Sequence, residues 1–322
     1  MMAGKSSYGY FDITLKQRTQ ISTSLVRFTF SGPDVHHMAT YAPDQRIKLF
    51  FPDGDASLEA LSEIARQAGP DWYSQYRALD ERIRPPMRTY TIRALRAQDA
   101  EVDIEFVLHG DTGPASRWAT RAQPGDSLGM IAPVNDSEAE PAGFEWRPPQ
   151  GMRRLLLVAD ETAVPAACGI LESLQASGHW PQVDAFFEVP AAGDAQPLGD
   201  DIPQAHVNVQ WLNRDRQAEG QGDHGDHAHG DLLIQAVRAL DLSQEIHELQ
   251  SSPDEGSDSQ DDVEDRLFWV LGAPDDGAPF YAWIAAESKV ARSIRQYLVK
   301  ECGLPKANVS SMGYWREGKV LG

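Results

Sequence analysis

Six consecutive residues, Arg88-Thr89-Tyr90-Thr91-Ile92-Arg93, bring two guanidiniums, a phenol ring and two hydroxyls into one short segment. They follow Arg84-Pro85-Pro86, a break after which an extended strand can start. Side chains alternate faces along such a strand, so Arg88 and Tyr90 share one face and Thr89 and Thr91 the other. A cation beside an aromatic ring suits a large, flat, phosphorylated ligand. A half-buried strand with solvated arginines is the competing reading.

A second constellation lies at Leu108-His109-Gly110-Asp111-Thr112-Gly113-Pro114-Ala115-Ser116-Arg117-Trp118-Ala119. A strand ends near Leu108, two glycines bracket a polar turn, and Pro114 is suited to a first helical position because its missing N–H is not needed there. The free N–H groups of that first turn, with the Ser116 hydroxyl, form an anion site of the kind that holds a pyrophosphate. An ordinary capped turn is the alternative.

Two further groups carry less. Asp160-Glu161-Thr162 follows an apolar run where a dinucleotide fold would place glycines; two carboxylates there repel a phosphate, and helix capping is the other reading. His224, His227 and His229 have a spacing that could bind a metal, but their Gly-rich setting favours a solvated insertion, and no metal is assigned.

The elements that position these residues fall into two patterns. Alternating segments at 10–15, 25–30, 45–51, 88–96, 101–108 and 127–131, with a short helix from Pro114 to Ala122, predict a six-stranded antiparallel β-barrel over residues 1–147. Beyond a Pro- and Gly-rich stretch at 144–151, buried-type strands (154–159, 183–189, 207–212, and 266–271 or 279–285) alternate with helices. They predict a doubly wound parallel-sheet α/β domain over 148–322. This domain carries an acidic and His-rich insertion near 215–265.

The 322 residues carry a net charge of −19, which argues against nucleic acid as partner. An anionic ligand needs a local basic pocket against that field. Cys168 and Cys302 are isolated, which excludes a thiolate-held iron–sulfur cluster or zinc site and suits a reducing compartment. With no basic segment leading an apolar core and no long apolar run, the expectation is a cytoplasmic protein with no membrane span, taken as a monomer.

In combination, four motifs resemble those of the siderophore-interacting protein family, a branch of the ferredoxin-reductase-like flavoproteins. They are Arg88–Arg93; Phe106–Gly110 with Gly113–Ala119; Asp160–Ala166; and Gly313-Tyr314-Trp315-Arg316-Glu317-Gly318. The resemblance implies FAD at the barrel and reduction of a ferric siderophore, with NADPH, NADH or reduced ferredoxin as donor. It places Arg88 at the FAD phosphates, Tyr90 against the flavin or ribityl chain and Thr91 near N5. It places His109, Gly110, Thr112, Gly113, Pro114, Ala115 and Ser116 at the isoalloxazine edge and pyrophosphate. It also brings Asp160 and Thr162 near the FAD or nicotinamide. Because a ferric siderophore is usually anionic or oxygen-rich, Lys48, Arg316 and, more weakly, Lys319 are the substrate residues. No side chain is assigned an acid–base role, since the flavin carries the chemistry. A general NAD(P)H-dependent flavin or ferredoxin-type reductase, and a non-enzymatic siderophore carrier, are the alternatives.

Overall fold

The computed structural model describes residues 7–52, 58–67, 72–108, 110, 113–197, 199, 202–215, 227–250 and 268–318. The chain divides into two compact units between Phe144 and Glu145.

In the first unit β1 (Tyr8–Gln20), β2 (Leu25–Ser31), β3 (Arg46–Phe50), β4 (Met87–Thr91), β5 (Ala94–Arg96), β6 (Glu101–Val107) and β7 (Ser127–Pro133) form one antiparallel sheet. Its order is β4-β3-β7-β1-β2-β6-β5. The edge strands β4 and β5 are consecutive in sequence, with only Ile92 and Arg93 between them. A sheet whose edges are joined by two residues must curl until those edges approach. The Ile92 N–H donates to Gln45 O, beside β3, and the Arg93 N–H donates to Asp103 O on β6, each at 2.9 Å. The motif is therefore the seam of the barrel. This corrects the expected strand count from six to seven: the strand foreseen over 88–96 is two, because Ile92 and Arg93 pass the chain from one edge to the other.

Phe28, Phe30, Phe51 and Phe106 fill the interior with Ile13, Ile47, Leu49 and Ile104. α3 (Pro114–Arg121) sits on them through Trp118, whose ring lies 5.5 Å from that of Phe28 and 6.0 Å from that of Phe106. The excursion after β3 forms α1 (Leu58–Gln67) and α2 (Trp72–Ala78). Leu61 and Tyr76 from these helices cover Phe50, Met87 and Ile131 on the outer face.

The second unit holds β8 (Arg154–Asp160), β9 (Gln182–Val189), β10 (Val207–Asn213), β11 (Trp269–Val270), β12 (Phe280–Glu287) and β13 (Val309–Trp315) in the order β10-β9-β8-β12-β13-β11. All neighbours are parallel except β11. The helices are α4 (Val164–Ser177), α5 (Asp231–Ala239), α6 (Ser243–Gln250) and α7 (Ser288–Gln296). β8 and β12 are buried almost throughout, as strands covered on both faces must be. Both candidate strands after residue 265 form, as β11 and β12. β13 was not foreseen, because Ser310 and Ser311 break its apolar pattern. In the fold both serines are fully buried and satisfied: Ser311 Oγ donates to Ala291 O at 2.9 Å, and Ser310 Oγ lies 2.8 Å from the Tyr281 hydroxyl.

The order reverses between β8 and β12, and there the turns after β8 and β12 face the carboxyl edge of the sheet. That is where open α/β sheets bind ligands. Among the described residues, no helix is long and apolar enough to cross a membrane.

Candidate functional site

Several arginines of the barrel grip carboxylates, and Arg88 does not. Arg27 grips Glu105 through Nε at 3.0 Å and Nη2 at 2.6 Å. Arg93, the last residue of the motif, lies 3.6 Å from the same carboxylate. Arg96 holds Asp103 at 2.7 and 2.8 Å. Arg88 differs. Its Nη1 donates to its own neighbour's carbonyl, Met87 O, at 2.7 Å, and no carboxylate among the described residues meets it. Burial lowers its pKa from the usual value, with Tyr90 and Tyr76 in electrostatic reach. A guanidinium does not lose its proton in a protein, so this one is a desolvated charge seeking an anion.

Tyr90, two residues on, faces the interior, its ring 4.2 Å from Phe106 and 6.4 Å from Phe51. Phe106 also touches Trp118 of α3, so the strand and the helix start are joined through one ring. Burial pushes the Tyr90 hydroxyl pKa upward, which keeps it a neutral donor.

The helix start has an open approach. Gly113, the residue before α3, has extended backbone (φ −152°), has no side chain with which to cap, and is followed by Pro114. The N–H groups of Ala115 and Ser116 belong to the first turn, which has no intrahelical acceptor. A Cβ built on Gly113 would meet no atom of the described residues within 4 Å, and φ −152° suits any residue. Neither backbone nor packing among the described residues demands glycine here, so the position leaves room for the close approach of a ligand. Gly110 has φ +82°, a conformation that favours glycine, and likewise faces open space. A carboxylate-free guanidinium and an open helix start fit the phosphates of FAD. His109, Thr112 and Lys319 lie outside the described residues.

Thr91 is buried at the seam. Lys48 pairs in register with Thr89, and its Nζ donates to Thr89 Oγ1 at 2.6 Å. Burial first, and then the charge of Arg46, lower the Lys48 pKa. Strand parity puts Lys48, Thr89 and Thr91 on one face and Arg88 and Tyr90 on the other. Arg316 belongs to the second unit, just beyond β13.

At the carboxyl edge of the second sheet the chain's own carboxylates take the donors that a phosphate would use. Asp160 Oδ1 accepts from Thr162 N at 3.0 Å and from Thr162 Oγ1 at 2.5 Å; its Oδ2 accepts from Trp315 Nε1 at 2.7 Å. Burial, then the neighbouring Glu161 charge, push the Asp160 carboxyl up to about 7 against these favourable bonds. Glu188, fully buried at the end of β9, accepts from Gly230 N at 2.8 Å, at the start of α5. Glu287 accepts from Lys289 N at 2.5 Å and Val290 N at 3.2 Å, filling the start of α7. Arg214, after β10, clamps Glu161 at 2.7 and 2.8 Å and Glu188 at 3.1 Å.

A cleft of ≈ 660 Å³ opens beside this network, lined by Arg214, His227, His229, Glu287, Lys289 and Glu317 among others. His229 meets the Trp315 ring edge-to-face at 5.0 Å, and its Nδ1 lies 3.9 Å from Glu161. His224 lies outside the described residues. Sequence reasoning missed Glu188, Arg214 and Glu287. The signal available was a charged residue at the carboxyl end of each strand after an apolar run.

Known proteins bear on this geometry. Residues 14–137 match the model of a siderophore-interacting FAD-binding domain, and residues 152–318 that of a siderophore-interacting protein. The ferric vibriobactin reductase ViuB of Vibrio cholerae is 26% identical over 94% of this chain and 88% of its own length. An NADPH-dependent ferric-chelate reductase of Escherichia coli is 30% identical over 64% of this chain and 72% of its own. The crystal structure of the siderophore-interacting protein SipS from Aeromonas hydrophila superposes with a TM-score of 0.64, at 23% identity, over 98% of this chain and 94% of that one.

Proposed function

Since the chain belongs to the siderophore-interacting protein family, we propose that it is an FAD-dependent oxidoreductase that reduces a ferric siderophore and releases Fe(II). The single observation that carries this reading is Arg88, partly buried with no carboxylate partner among the described residues, in the same unit as an open helix start at Gly113.

Each residue then has a task. Arg88 and the N–H groups of Ala115 and Ser116 hold the FAD phosphates, with Gly110 and Gly113 admitting them closely and His109 and Thr112 as further cofactor residues. Tyr90 lies against the flavin or ribityl chain, and Thr91 stands by its reactive edge. Bound FAD supplies the chemistry of accepting two electrons and passing them on singly to iron. Lys48 attracts an anionic chelate, with Arg316 and Lys319 as further substrate cations. The hard oxygen donors of a siderophore hold Fe(III) tightly; one electron weakens that hold.

The two named enzyme relatives support the reductase activity, and the name of one of them supports NADPH as donor. Reduced ferredoxin remains the second reading for the donor. A specific observation favours keeping it: Asp160, Glu188 and Glu287 already occupy the N–H groups that would bind a dinucleotide's pyrophosphate. Asp160 and Thr162 then position the turn near the cofactors rather than grip a phosphate.

The test is anaerobic. Purified protein should be yellow, and its reduced flavin should be reoxidised by a ferric siderophore with Fe(II) caught by a ferrous indicator. Fe(II) at the rate of a free-flavin control rejects the reading.

A further inference from the structure

The edge of a β-sheet is a row of unpaired N–H and C=O groups, and folded proteins blunt it with short strands, charges, proline or closure. The first unit closes its sheet at the seam between β4 and β5. In the second unit the edge strand β11 is only two residues long. β10, at the other edge, has none of these devices. It runs through Val207-Asn208-Val209-Gln210-Trp211-Leu212-Asn213 with no proline, no lysine, no arginine and no acid. Among the described residues no strand pairs with its outer side. Asn208 and Gln210 are exposed, and Val209, Trp211, Leu212 and Asn213 are half-buried.

The ladder to β9 fixes which backbone groups of β10 are left over. Just before the strand, Val183 N donates to His206 O at 2.7 Å; just after it, Arg214 N donates to Val189 O at 3.0 Å. In a parallel ladder every second residue of a strand bonds to the same neighbour. Asn208, Gln210 and Leu212 therefore bond to β9, and Val209, Trp211 and Asn213 turn their N–H and C=O groups outward. Val207 turns its C=O outward as well, while its N–H donates to Pro203 O at 3.1 Å. Side-chain parity puts Val207, Val209 and Trp211 on one face. The Trp211 ring meets that of Phe187, its register partner on β9, at 5.0 Å, so this apolar stripe is held in place.

We propose that β10 docks a second copy of this chain, strand against strand, antiparallel about a twofold axis at Gln210. In that register Val209 lies opposite Trp211 of the second copy, and the two exchange both backbone hydrogen bonds. Asn213 N–H meets Val207 O of the second copy. The outward groups of one strand thus satisfy those of the other, which is what a twofold contact requires. A β-branched side chain opposite an aromatic one is a favourable cross-strand pair. Charge argues for the same occupant. Each chain carries a net charge of −19, so two copies can meet only over a surface free of acids, and this strand is one. Seven residues a side cover less than a standard interface, so the dimer is weak and reversible. The two strands run in opposite directions, which sets the clefts beside Arg214 at opposite ends of the joined sheet. Each chain then works alone, and the proposal does not depend on the reductase reading. It replaces the monomer expected from the sequence.

Sedimentation velocity on the full-length protein, from ~5 to ~500 µM, is the test. Wild type should pass from monomer to dimer over that range, and added salt should strengthen the dimer by screening the acidic chains. Val209→Pro removes an N–H that β9 does not use, so the fold should keep its circular dichroism and the dimer should vanish. Gln210→Lys and Gln210→Glu each set like charges face to face across the axis and should weaken self-association about three- to five-fold. An equimolar mixture of those two variants should restore it, because Lys then faces Glu. Should Val209→Pro fail to fold, the Gln210 pair still decides. A monomer at every concentration, wild-type dimerisation by both Gln210 variants, or no recovery in their mixture overturns the proposal.

Discussion

Four helix starts invite comparison. α3 begins after a bare glycine, in the same unit as Arg88, whose guanidinium has no carboxylate partner among the described residues. α5 and α7 in the second unit begin against Glu188 and Glu287, and the turn into α4 against Asp160. The same backbone feature, a row of unpaired N–H groups, is left open in one unit and filled by the chain itself in the other. Open donors bind a ligand's phosphates; filled ones stabilise the fold. A βα turn at a topological switch point is therefore not by itself a dinucleotide site.

The comparison can be broken most severely at Arg214. Its guanidinium serves Glu161 and the fully buried Glu188, so Arg214→Ala leaves two carboxylates without their cation. A loss of about 3–5 kcal/mol of stability is expected, read as a lower denaturation midpoint. An unchanged midpoint means that the filled edge is not a structural network.

Gly113→Ala sharpens the contrast from the other side. Since a Cβ there meets no atom of the described residues and φ is extended, the fold should keep its melting temperature. FAD affinity should drop on the order of tenfold, about 1.4 kcal/mol, because the methyl stands where phosphate approaches. Unaltered FAD affinity removes the argument for a cradle at α3.

Asp160 supplies a pH test. Its carboxyl is pushed up to about 7 in the fold, well above the ordinary aspartate range. A raised acid binds its proton more tightly folded than unfolded, so this group's contribution to stability falls as pH rises from about 4 to about 7. Asp160→Asn removes that dependence, and its melting temperature should decline less than that of wild type between pH 5 and pH 8. A parallel decline in both contradicts the raised pKa. Trp315→Phe deletes the donor to Asp160 Oδ2 and should cost about 1 kcal/mol, more at pH 8 than at pH 5, where the carboxyl is protonated.

Much of this was legible in the sequence. The alternation at 101–108 and the apolar run at 154–159 announced a barrel strand and a doubly covered strand, and both are present. Arg88 and Tyr90 were rightly put on one face, since parity needs only an extended backbone. What a linear reading could not supply was partnership. Arg88 and Arg93 look equivalent in Arg-x-Tyr-Thr-x-Arg, yet Arg93 has Glu105 within 3.6 Å while Arg88 has only the carbonyl of Met87. That difference depends on β5 pairing with β6, a contact set by the seam. β13 escaped notice because buried serines satisfied by Ala291 and Tyr281 mimic a loop in composition. Glu188, Arg214 and Glu287 are far apart in sequence and meet only at the sheet's edge.

The pair of arginines gives the most direct test of the central claim that the barrel is built around FAD at Arg88. FAD bound per chain should be measured by absorbance on gel-filtered wild type, Arg88→Ala and Arg93→Ala. One FAD per wild-type chain is predicted, with Arg88→Ala folded, at unaltered melting temperature of its apo form, and colourless; Arg93→Ala should lose stability before it loses flavin. Stoichiometric FAD on Arg88→Ala would contradict the account.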